Sequence, residues 1–186
     1  MINAAEEQNK YSISETVKDF DGAPLKGPNS LILSHSKNIM YFTDSGAFGQ
    51  TSIENPTGSL FAVDLSVQVL MPILYKKLAY PTCLALSLDE KSLFVAETCN
   101  NRVLRVFCHS SGVCHTSVFK QFCGRLGPTG LAVQPSTGHL FVARYDFAEC
   151  QKDGIISVLN EQGELEYEIS VNDHPEISGL YFSKVQ

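Results

Sequence analysis

The sequence predicts an all-β chain made of tandem four-stranded antiparallel sheets. Two observations carry this prediction. One apolar pattern recurs four times at nearly constant spacing, and no stretch holds the 3.6-residue periodicity of a helix for more than a turn. Composition agrees: hydrophobic residues make up 44% of the 186 residues and charged residues 18%, a balance that suits a folded domain with a sizeable core.

The recurring segments are Gly27-Pro-Asn-Ser-Leu-Ile-Leu33, Tyr80-Pro-Thr-Cys-Leu-Ala-Leu86, Gly127-Pro-Thr-Gly-Leu-Ala-Val133 and Glu176-Ile-Ser-Gly-Leu-Tyr-Phe182. Aligned on the anchors Leu31, Leu84, Leu131 and Leu180, they lie 53, 47 and 49 residues apart. An aromatic follows each of the first three anchors at the same offset: Tyr41, Phe94 and Phe141.

Each unit divides into four predicted strands. The first is short, with apolar residues at alternate positions (Leu31 and Leu33, Leu84 and Leu86, Leu131 and Val133), and it ends in a polar turn. The second (39–43, 92–96, 139–143) is almost continuously apolar, as expected of a strand buried on both faces. The third spans 59–63, 102–107 and 155–159. The fourth, at 67–74, 116–122 and 165–171, returns to alternation, the pattern of an outer strand with one wet face.

Four such strands every 40 to 50 residues are the sequence form of a β-propeller blade, with an ordinary β-sandwich as the competing reading. Three full blades are expected, at 29–75, 82–122 and 129–171, inside a partial propeller domain at 11–186 that follows a polar tail at 1–10. Residues 11–17 are expected to be the outer strand of a preceding blade, and 177–183 the first strand of a following one. A closed six-bladed ring at this period needs about 300 residues. The chain therefore reads as a truncated product or as a half-ring that self-associates through its open blade edges.

The net charge of −6 and scattered lysines and arginines exclude a general nucleic-acid binder. No apolar run is long enough to span a bilayer, and the polar, acidic first ten residues do not form a signal peptide, so a cytoplasmic location is expected. The six cysteines are then expected to be free thiols. A Cys108–Cys114 bridge could span its hairpin, but a reducing compartment argues against it. Cys108-His109 and Cys114-His115 do not make a zinc site of four ligands, because neighbouring strand residues face opposite sides. His35, His139 and His174 read as surface or structural residues.

Residues 27–46, ending Ile-Met-Tyr-Phe-Thr-Asp-Ser-Gly, resemble the SMP-30/gluconolactonase/LRE-like superfamily. Residues 85–98 followed by Asn101-Arg-Val-Leu-Arg105 are more similar to its strictosidine-synthase-like branch. NHL-type propellers share the phrase at 127–133 and are the rival assignment. The resemblance implies a six-bladed propeller with its site at the channel mouth. In metal-dependent members, a calcium ion there activates water or polarises an ester carbonyl of a lactone. Two positions before the anchor, where such members carry Asn or Asp ligands, this chain has Asn29, Thr82, Thr129 and Ser178. Asn29 is thus the candidate metal ligand, and the three hydroxyl residues are candidate ligand-binding groups.

Thirteen residues after the anchors stand Asp44, Glu97 and Arg144. These are the candidate catalytic groups, with Glu97 foremost and Arg102 a candidate ligand-binding cation. The bland alternative is that they cap strand ends and pair with arginines such as Arg102 and Arg105. Two functions follow: a non-catalytic propeller that binds a small molecule or a protein at the channel mouth, or a lactone or ester hydrolase or a related synthase. The shortage of metal ligands favours the first.

Overall fold

The computed structural model describes residues 16–47, 49–109, 112–147 and 152–183, which hold fourteen β-strands and no helix. A two-stranded hairpin comes first, β1 (Asp19–Phe20) and β2 (Ala23–Pro24). Its Asp21-Gly22 turn takes positive φ at both residues, as a tight two-residue hairpin requires. Three antiparallel meanders follow. The first contains β3 (Pro28–Ser34), β4 (Ile39–Asp44), β5 (Gly58–Asp64) and β6 (Val69–Leu78). The second contains β7 (Pro81–Leu86), β8 (Ser92–Glu97), β9 (Arg102–Cys108) and β10 (Cys114–Gln121). The third contains β11 (Leu126–Val133), β12 (Leu140–Asp146), β13 (Gly154–Leu159) and β14 (Leu165–Val171).

The sheets pack face to face in sequence order. β3 lies against β7 and β7 against β11, so the first strands of the three sheets are the innermost. Tyr41, Leu60 and Ala62 of the first sheet interlock with Leu84, Val95 and Val106 of the second. Phe94, Ala96 and Val103 on its other side meet Leu131, Leu140 and Val142 of the third. Each leucine, valine or phenylalanine side chain so buried contributes on the order of 1.5–3 kcal/mol. This packing accounts for the near-continuous apolar character of the second strand of every unit, because both of its faces are interior. The arrangement is a partial β-propeller of four-stranded blades.

Several expectations change. The free face of the first sheet is not bare. Val17, Phe20 and Leu25 cover Phe42, Phe61 and Val63, with the Phe20 ring 5.4 Å from that of Phe61. Of the strand expected at 11–17, residues 11–15 lie outside the described residues, and Thr16 and Val17 are not in a strand. Residues 177–183 are also not a strand, since no described neighbour offers them a ladder. They lie along the third sheet instead, with Phe182 edge-on to Phe141 at 4.9 Å.

The cysteine expectation is overturned at one place. Cys108 and Cys114 form a disulfide. They are direct cross-strand partners at the turn end of the β9–β10 hairpin, with Cα atoms 4.0 Å apart, so the register itself brings the sulfurs together. Cys83, Cys99 and Cys123 are free thiols, and Cys150 lies outside the described residues. Burial pushes the Cys83 thiol up, partly offset by the Leu131 N–H that donates to its sulfur.

Candidate functional site

The positions two before the anchors converge. Asn29, Thr82, Thr129 and Ser178, drawn from the starts of three innermost strands and from the trailing segment, line one cleft of about 430 Å³. Strand alternation explains this. Each sits two residues before its anchor leucine, at the same end of equivalent strands, so the repeat brings all four to one rim. Tyr80, Tyr145, Asp146 and Phe147 complete the lining.

The hydroxyl and amide groups also make hydrogen bonds, and what each one reaches depends on the residue fourteen past its anchor. Where that residue is Ser45, Asn29 Nδ2 donates to its Oγ at 3.1 Å. Where it is Thr98, Thr82 Oγ1 lies 2.7 Å from Thr98 Oγ1, and Thr98 passes the bond on to the Pro128 carbonyl of the next sheet at 2.8 Å. Where it is Tyr145, no short hydroxyl is at hand, and Thr129 Oγ1 donates directly to the Ile177 carbonyl at 2.8 Å. Pro128 and Ile177 hold the same place relative to their own anchors, so the two joints are equivalent.

The three candidate catalytic residues behave differently. They stand opposite prolines in the ladder: Asp44 faces Pro28, Glu97 faces Pro81 and Arg144 faces Pro128. All three turn away from the cleft and hold the connection that leads into the innermost strand. Asp44 accepts the Gly27 and Lys26 N–H groups at 2.6 and 3.0 Å. Glu97 is fully buried and accepts from the Ala79 N–H, the Asn100 amide and Arg102 Nε at 2.8, 2.7 and 2.6 Å. Arg144 reverses the polarity, donating Nη2 to the Cys123 and Leu126 carbonyls at 3.2 and 3.1 Å. Its guanidinium lies 4.4 Å over the Phe122 ring, and burial lowers its pKa, partly offset by Glu168. Arg102 is the partner of Glu97 and does not line the cleft.

The charged group that does line the cleft was not among the sequence candidates. Asp146 is buried, and Arg125 Nε donates to both of its carboxylate oxygens at 3.1 and 3.3 Å. The repeat carries no trace of it, because the equivalent positions hold Gly46 and Cys99. Tyr80 was missed as well. Its φ of +57° is sparsely populated for a bulky residue, and the glycines at 27 and 127 are its counterparts in the repeat.

A calcium ion wants six to eight oxygens with carboxylate charge among them. The cleft offers one amide, three aliphatic hydroxyls, two phenols and a carboxylate already engaged by a guanidinium. No cluster of three or more His, Cys, Asp or Glu side chains among the described residues could hold a metal. These residues on their own do not fit calcium.

Fold and cleft together define a propeller-type protein with a small-molecule-sized site at the mouth of its inner strands. The model of the SMP-30/gluconolactonase/LRE-like region matches residues 46–184, and the chain belongs to this family. Lactonases named drp35 from Staphylococcus epidermidis and Staphylococcus aureus are 30% identical to it over 132 residues. That alignment takes in 69% of this chain and 37% of each relative, so the chain spans well under half of the proteins it matches. Among solved structures, a gluconolactonase from Xanthomonas campestris superposes with a TM-score of 0.70 at 21% identity, over 89% of this chain and 54% of that one. A calcium-binding regucalcin from Agrobacterium tumefaciens gives 0.59 at 18% identity, over 75% of this chain and 44% of its own. No helix among the described residues is long and apolar enough to cross a membrane.

Proposed function

We propose that the chain forms the ligand-binding mouth of a lactonase-like propeller and takes a small, uncharged, hydroxyl- or ester-bearing molecule, without building a metal-dependent hydrolytic centre from its own residues. The observation that carries this is the convergence of Asn29, Thr82, Thr129 and Ser178 on one cleft. There they present neutral oxygens beside aromatic rings, and the acids at the family-like +13 position are spent on backbone contacts. Aromatic faces and hydroxyls suit an uncharged polar ligand, which they can stack and orient.

The competing reading is hydrolysis of a lactone or ester. It is favoured by the lactonases among the relatives and by the cleft carboxylate Asp146. The two separate in one experiment: thermal stability with and without calcium, alongside hydrolysis of a lactone panel, for the chain and for Asn29→Ala. The proposal expects a lactone-dependent shift, none from calcium, and no turnover above the uncatalysed rate. Calcium stabilisation that is lost in Asn29→Ala, together with turnover, would replace it with the hydrolase.

A further inference from the structure

The hairpin of the second sheet carries a feature that the cleft does not use. At its end, cysteine and histidine alternate on both strands, as Cys108-His109 and Cys114-His115. Because strand neighbours point to opposite faces, the hairpin sorts these four residues into two pairs. The cysteines turn toward the core shared by the first two sheets and close the disulfide. The histidines come out on the other face, both exposed, with ring centroids 5.3 Å apart and planes at 84°.

We propose that His109 and His115 form a bidentate surface site for a borderline divalent cation, copper(II) or zinc, whose remaining coordination positions are filled by water. Three observations fix the placement of the two histidines relative to one another. The disulfide lies beside both histidines in sequence and locks the register between their strands. The His109 backbone is pinned within the turn, its N–H donating to the Val113 carbonyl at 2.8 Å and its carbonyl accepting from Gly112 at 2.9 Å. Phe107, the direct ladder partner of His115, meets the His109 ring edge-on at 4.8 Å and sets its side.

Both rings reach solvent, so rotation about their side-chain bonds turns one nitrogen of each toward a shared ion with no movement of the backbone. Imidazole nitrogen selects copper, nickel and zinc over calcium and magnesium, which prefer oxygen. The site is thus distinct in place and in chemistry from the oxygen-lined cleft, and it stands whether or not the cleft reading does.

Calorimetric titration of the tag-free chain with zinc chloride, and then copper chloride, at pH 8 tests it. One equivalent of metal should bind, copper more tightly than zinc. His109→Ala and His115→Ala should each weaken binding by at least about tenfold, since a chelate loses its second, effectively intramolecular contact. His35→Ala, His139→Ala and His174→Ala should leave it unchanged, and calcium chloride should give no heat. Absence of binding to the unmodified chain, binding undiminished in either hairpin variant, or a requirement for one of the other three histidines would overturn the assignment.

Discussion

Two sets of repeat-equivalent residues, fifteen positions apart, divide the work of this molecule. The set before the anchors (Asn29, Thr82, Thr129, Ser178) faces a common cleft and is uncharged; its two threonines reach the unit that follows, Thr82 together with Thr98 at Pro128 and Thr129 at Ile177. The set after them (Asp44, Glu97, Arg144) is charged, buried, and bonds back to the main chain entering its own sheet. Within these two sets charge is placed where it satisfies orphan backbone groups, and neutral oxygens line the cleft beside the Asp146 carboxylate. A buried acid or base is thus weak evidence for chemistry until its partners are known. Glu97, the most chemical-looking residue in the sequence, has every contact turned inward.

Removing Glu97 should expose this division most sharply. Glu97→Ala leaves the Ala79 N–H, the Asn100 amide and the Arg102 guanidinium without their acceptor. Loss of one member of a buried pair costs about 3 kcal/mol, somewhat less here because Arg102 is partly exposed. Chemical denaturation should show that loss while ligand affinity at the cleft stays within about twofold of the unmodified chain. Collapse of affinity at unchanged stability would instead make Glu97 part of the site. Arg144→Met, which removes the donors to Cys123 and Leu126 but keeps bulk over Phe122, should cost about 2 kcal/mol in the same assay, again without touching the cleft.

The fold was legible because its signals are redundant. Tyr41 and Phe94 are buried at joints between sheets, and the anchors Leu84 and Leu131 lie beside them in the same cores. Convergence of the positions before the anchors was legible for the same reason, since identical offsets on equivalent strands must arrive at one rim. The direction of the charged set was not, because the same offset is compatible with a side chain reaching outward or folding back over the entering connection. Asp146 and Tyr80 were hidden because neither recurs in the repeat. The disulfide was visible as a possibility across its hairpin but set aside on an argument about the compartment, whereas the ladder register decided the pairing.

Thr129→Val tests the uncharged set with a smaller expected effect. The swap keeps the shape of the side chain and deletes the hydroxyl that donates to Ile177. The net worth of such a bond is about 1 kcal/mol. The larger consequence should fall on the cleft, where a hydroxyl facing the ligand is exchanged for a methyl: affinity down several-fold, melting temperature down by a few degrees. If stability falls and affinity does not, the hydroxyl serves the joint alone.

The smallest expected effect concerns a clasp outside both sets. The Glu90 carboxylate reaches from the second sheet to the first, accepting from Ser34 Oγ at 2.7 Å and from the Ser36 hydroxyl and N–H. The serine hydrogen bonds hold its pKa below the ordinary glutamate value, Ser36 contributing most. A carboxyl whose folded pKa is depressed stabilises the fold above its unfolded pKa and loses that contribution as pH falls through the folded one. Glu90 is partly exposed to solvent, so screening leaves only a few tenths of a kcal/mol. Stability followed from pH 7 to pH 3 should therefore show a shallow decline below about pH 4.5, the ordinary glutamate range. Glu90→Gln should flatten that part of the curve, since it removes the carboxyl that bridges the two sheets.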